Sequence, residues 1–179
     1  MHSLRPRLDF LAFALALVLL AWPAIGFVAE RNGAAAIMCA MCLAGLVAGR
    51  LVGVPGGVLL PVAIGLVVVL SLIWIDSPVG PHKTSALAHL AGGTLAGWAL
   101  AEALRRRIPG WRSVVLLALS GVIVLTFVWE IGEYAGDLLL DTSLDPRVRD
   151  SVEDIGFGTA GGLVGIGLGV VVAVWPRRG

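Results

Sequence analysis

Six apolar runs, each long enough to cross a bilayer, take up most of the 179 residues. They fall at about 10–29, 33–52, 55–75, 84–104, 113–138 and 152–175, and a span needs about 20 residues to cover a hydrocarbon core about 30 Å thick. In lipid the backbone must satisfy its own polar groups, so each run is expected to be a helix. The connections carry turn-formers: Arg31-Asn32-Gly33, Val54-Pro55-Gly56, Asp76-Ser77-Pro78 and Ile108-Pro109-Gly110. With 58% of residues hydrophobic and 14% charged, a water-soluble globule and a disordered chain are both excluded. The loops are too short for a separate soluble domain. The expected fold is therefore all-α: one polytopic membrane domain over residues 1–179, with six transmembrane helices in a lipid bilayer.

The basic residues orient it. With six crossings, Arg5, Arg7, Arg50, Arg105, Arg106, Arg107, Arg112, Arg177 and Arg178 fall on one side, and Arg31, Lys83, Arg147 and Arg149 on the other. The positive-inside rule then places both termini in the cytoplasm. Trp74, Trp111 and Trp175 stand near span ends, as an interfacial belt requires. Residues 1–24 also fit a cleaved signal peptide. The apolar run continues through Ile25, Phe27, Val28 and Ala29, which favours a retained span. A net charge of +1 gives no sign of nucleic-acid binding.

The acidic residues are unevenly placed. Asp9, Glu30, Asp76 and Glu102 lie at span ends or in loops, and Glu102 precedes Arg105 and Arg106 by about one helical turn. The other eight are Glu130, Glu133, Asp137, Asp141, Asp145, Asp150, Glu153 and Asp154, all in one stretch at or near the outer face. Counting about 1.5 Å per residue from the cytoplasmic ends, Glu130 is roughly 25 Å up span five and His89 roughly 24 Å up span four. Both therefore stand at one depth. Glu130, Glu133, Asp137 and Asp141 lie within about 80° of one another at about 100° per residue. His89 shares a face with Ser85, Gly92, Gly93 and Ala96. Asp150, Glu153 and Asp154 share one with Gly158, Gly161 and Gly165, provided span six begins early enough. Gly93-xxx-Gly97, Gly132-xxx-Gly136 and Gly161-xxx-Gly165 mark close helix contacts in lipid, so the polar faces of the last three spans are expected to meet.

An ionisable group at the centre of a span costs about 2.5–3.5 kcal/mol, so stability alone does not account for several together. Carboxylates with one imidazole suit Mn²⁺, Zn²⁺ or, with waters, Mg²⁺. His89, Glu130, Glu133 and Asp154 are the candidate ligands of such an ion. Asp150 and Glu133 are candidates for proton transfer, and Arg147, Arg149 and Lys83 for holding an anionic head group. Three other readings stay open: a proton or cation relay in a transporter, a hydrogen-bonded polar cap, and a non-catalytic partner or homo-oligomer pairing through Gly-rich faces. Cys39 and Cys42 lie near the midplane of span two and are expected to act as small hydrophobes. No phosphate loop or nucleophile elbow is present in the sequence.

Trp129-Glu130-Ile131-Gly132-Glu133, followed by Arg147-xx-Asp150-xxx-Asp154-xxx-Gly158-xx-Gly161, resembles the VanZ-like and YjdF-like bacterial inner-membrane proteins. His89-Leu90-Ala91-Gly92-Gly93 is similar to the helix found upstream in the YjdF-like members, to which the likeness leans. It covers about residues 82–170. The resemblance implies a small multi-pass protein of the bacterial plasma membrane, acting on or near the cell envelope; the site residues add the expectation that it acts on an anionic lipid or envelope precursor. VanZ-type proteins are linked to glycopeptide-antibiotic resistance, and the group carries no established reaction.

Overall fold

The computed structural model describes residues 4–74, 81–140 and 148–174. Over these the chain is helical: α1 Leu4–Ala29, α2 Gly33–Leu51, α3 Gly56–Trp74, α4 Pro81–Leu104, α5 Trp111–Leu140 and α6 Val148–Val174. Hydropathy marks the apolar part of each helix, and the polar turns beyond it continue the same hydrogen-bond ladder. α1 thus starts six residues before the apolar run, and α6 starts at Val148, which brings Asp150 into its first turn. Pro23 lies inside α1.

Among the described residues, four helices are long and apolar enough to cross a membrane: α1, α2, α5 and α6. α3, Gly56–Trp74, is apolar along its whole length, although its described side chains end at Ser71. α4 has the length, but it carries Ser85, His89, Thr94 and Glu102. Its position accounts for that composition, since α4 contacts α3, α5 and α6. Polar side chains in a membrane helix face the bundle interior. The outward faces are made of residues such as Phe10, Trp22, Val124, Phe127 and Leu163. So large an apolar surface has lipid as its natural solvent, and the protein is of membrane type.

The first three helices form one packing unit. Leu20, Cys39, Leu46, Leu59, Val62 and Ala63 are almost completely buried in its core, which also takes in Ala99 and Ala103 of α4. One end is tied by charge: Asp9 on α1 pairs with Arg50 on α2 at 2.8 Å and accepts from the backbone N–H of Gly57 on α3 at 3.3 Å. At the other end Asn32 caps α2 by accepting from the N–H of Ala35 at 3.1 Å. Gly53 follows α2 at φ +80°, in the left-handed region where a side chain would be strained. Beside it, the Arg107 guanidinium donates to the carbonyl of Val52.

The last three helices are joined differently. Among the described residues α4 and α6 make the most extensive contact, backbone against backbone. A Cβ on Gly93 would collide with the carbonyl of Gly158, and one on Gly161 with the carbonyl of Leu90. This is the close approach expected of Gly-xxx-Gly spacing. Gly132 departs from the expectation, because it abuts Met41 of α2 and links α5 to the first unit. Helical period fixes which face a residue occupies, not which neighbour that face meets.

Candidate metal centre

His89 of α4, Glu130 of α5 and Asp154 of α6 meet between the three helices, each with a ligand atom within 4.8 Å of the others. The side chains are 10%, 7% and 14% exposed, so water is largely excluded from the group. Nε2 of His89 lies 3.1 Å from Oε1 of Glu130, and Nδ1 lies 3.4 Å from Oδ1 of Asp154.

Helix spacing sets the surroundings. Ser85 stands one turn before His89, and its backbone carbonyl lies 3.1 Å from Nδ1. The Ser85 hydroxyl donates to Oδ2 of Asp154 at 2.9 Å, bridging α4 to α6. Trp129 stands one turn before Glu133, and its Nε1–H donates to Oε1 of Glu133 at 2.7 Å. The Trp129 and His89 rings stand nearly perpendicular, with centroids 6.5 Å apart, and Trp129 also packs against the core of the first three helices. It therefore joins the apolar unit to the polar centre.

The other side of His89 is less complete. Among the described residues, neither oxygen of Glu130 accepts a hydrogen bond, and Nε2 of His89 has no hydrogen-bond partner. The 3.1 Å approach between them is an ion pair when His89 is doubly protonated and a contact between two acceptors when Nε2 carries no hydrogen. Buried polar atoms are rarely left in this state, because desolvating one without a partner costs about 1–3 kcal/mol. Two donors bound to one divalent cation at about 2.1 Å stand about 3.0–3.4 Å apart, so the spacing fits an ion held between them. One imidazole with carboxylates is a hard to borderline donor set, suited to Mn²⁺, Zn²⁺ or Mg²⁺.

The remaining candidates are placed as follows. Glu133 is buried beside the centre, with one oxygen engaged by Trp129, and it is outside the three-residue group. Asp150 is half-buried one turn before Asp154 on α6. The side chains of Lys83 and Arg149, and the whole of Arg147, Asp141 and Asp145, lie outside the described residues. Glu102 is buried far along α4 and is held by Arg105 and, at 2.6 Å, by Arg106. Cys39 and Cys42 are buried free thiols in the apolar unit.

Ser85 and Trp129 received no role from sequence reasoning, which placed Ser85 only on the face of His89. Their spacing, i to i+4 before a buried His and a buried Glu, was the available signal. Comparison with protein-family models, with characterised proteins and with solved structures finds no match to this chain.

Proposed function

We propose that this is a six-span protein of a bacterial plasma membrane, with both termini cytoplasmic and a divalent-cation centre in the outer part of its last three helices. The cation is Mn²⁺, Zn²⁺ or Mg²⁺, and the protein acts on an anionic lipid or envelope precursor. The observation that carries the cation is the buried approach of Nε2 of His89 to Oε1 of Glu130 at 3.1 Å, with no other hydrogen-bond partner for either among the described residues. A bound divalent ion supplies Lewis-acid polarisation of a phosphoryl or carbonyl oxygen. Around it the chain's own residues divide the work. Asp150 and Glu133 are the groups placed to take or return a proton, and Arg147, Arg149 and Lys83 are the cations available to an anionic head group. The proposal includes the kinship to VanZ-like and YjdF-like proteins, which rests on the motifs at His89–Gly93 and Trp129–Gly161.

The test compares membrane lipids and envelope precursors from cells carrying the wild type, a deletion and Glu130→Gln. Deletion and Glu130→Gln are expected to produce the same change in a phosphate-linked species. A profile unchanged across several growth conditions contradicts the proposal.

A transport reading competes for the same residues, because a doubly protonated His89 would also satisfy two carboxylates. Its difficulty is the path inward. Glu102 of α4 lies towards the cytoplasmic end, about 220° round the helix from His89, and is held by Arg105 and Arg106. Proton-coupled flux in proteoliposomes, lost in Glu133→Gln, would favour transport over catalysis.

A further inference from the structure

The two sides of the His89 ring face different chemistry, and that difference assigns roles within the proposed cation centre. Nδ1 lies 3.1 Å from the backbone carbonyl of Ser85. A carbonyl only accepts, so Nδ1 carries a hydrogen, and in the neutral ring that the cation reading requires Nε2 keeps its lone pair. Around the same nitrogen stand the Ser85 hydroxyl and Oδ1 of Asp154, each at 3.4 Å. Oδ2 of Asp154 takes the Ser85 hydroxyl proton at 2.9 Å. Both oxygens of Asp154 are thus engaged on the Nδ1 side.

On the opposite side, the lone pair of Nε2 meets Glu130. There Nε2 lies 3.1 Å from Oε1, and Nε2 and both Glu130 oxygens are buried with no hydrogen-bond partner among the described residues. With the ring neutral these are three acceptors without a donor, and a cation satisfies them. The acceptors come from two helices, which the shared depth of His89 and Glu130 brings together.

Resting on the cation reading, we infer that the ion binds Nε2 of His89 and the Glu130 carboxylate, and that Asp154 and Ser85 are positioning residues instead of ligands. Metal-binding histidines regularly donate their other N–H to a carboxylate or carbonyl, which fixes the tautomer and the ring orientation. Two protein residues then supply two or three donor atoms. The remaining positions on the ion fall to water or substrate oxygens, the pattern of a catalytic rather than a closed site. The Gly93–Gly158 and Gly161–Leu90 approaches bring α6 close enough for Asp154 to reach Ser85.

The experiment uses the full-length protein in detergent, labelled with ¹⁵N-histidine and loaded with ¹¹³Cd²⁺, with Zn²⁺ affinity measured by competition. His89→Gln identifies the His89 signals. In the wild type the one-bond cadmium coupling is expected on Nε2. Glu130→Gln should abolish binding. Asp154→Asn should weaken Zn²⁺ binding about 10- to 100-fold with the coupling still on Nε2. Ser85→Ala should weaken it in the same direction by less.

Coupling on Nδ1 overturns the assignment while leaving the cation centre standing. So does a loss of binding in Asp154→Asn as complete as in Glu130→Gln, or an affinity unchanged in both Asp154→Asn and Ser85→Ala. Should Asp154→Asn fail to fold, the coupling in the wild type and the affinity of Ser85→Ala decide. A wild type that takes up neither Cd²⁺ nor Zn²⁺ overturns both this assignment and the cation reading beneath it.

Discussion

Helices α1–α3 and helices α4–α6 solve the problem of packing in lipid in opposite ways. The first unit is filled by side chains, with Leu20, Cys39 and Leu46 nearly fully buried, and its ion pair, Asp9 with Arg50, sits at one end. The second brings backbone against backbone at Gly93, Gly97, Gly161 and Gly165, and places His89, Glu130, Glu133 and Asp154 in its interior. Side-chain packing alone makes a stable scaffold. Backbone contact lets helices approach closely enough for short polar side chains to meet across three of them. The difference teaches that glycine and charge belong to one device here: the glycines of α4 and α6 set the distance at which the polar centre assembles.

The strongest break in that comparison is a side chain added at the α4–α6 seam. Gly161→Val should cost more than the ordinary range of about 1–3 kcal/mol for overpacking, because the obstacle is the Leu90 backbone and not a movable side chain. Detergent-purified protein should lose its thermal transition. A transition within a few degrees of wild type would mean that the seam is loose.

Next is the link between the units. Trp129→Phe keeps the ring between the apolar core and His89 but removes the donor to Glu133. Leaving a buried acceptor unpaired should lower stability by about 1–3 kcal/mol, measurable by thermal or denaturant unfolding. No change would mean that Glu133 finds another donor.

Within the scaffold the effects should be smaller. Arg50 and Asp9 are each about a third exposed, so Arg50→Gln should cost about 0–1 kcal/mol, and less as salt is raised. Smallest, and of opposite sign, is Gly45→Ala. Nothing lies within 4 Å of a Cβ added there, so a gain of about 0.5–1 kcal/mol in helix stability is expected. A loss at Gly45 would erase the contrast with Gly161.

Much of this contrast was legible in the sequence. Hydropathy located all six helices, and counting along α4 and α5 put His89 and Glu130 at one depth; the structure places them in contact. Period and rise are properties of the backbone, so sequence spacing carries them. How the faces meet was not legible, because that depends on the rotation of each helix and on rotamers. Glu133 shares the face of Glu130, yet its carboxylate turns to Trp129, and Asp154 turns to Ser85. Gly132 was grouped with the other Gly-xxx-Gly motifs but meets a methionine of α2, a contact between segments far apart in sequence.

Thermal unfolding of the wild type and of Glu130→Gln in chelator, Mg²⁺, Mn²⁺, Zn²⁺ and Ca²⁺ tests the central claim, a cation held at His89 and Glu130, most directly. One ion at about 100 times its dissociation constant should stabilise the wild type by about 2.7 kcal/mol and leave Glu130→Gln unmoved. No response to any ion in the wild type, or an equal response in Glu130→Gln, would contradict the account and leave His89, Glu130 and Asp154 as a polar joint between three helices.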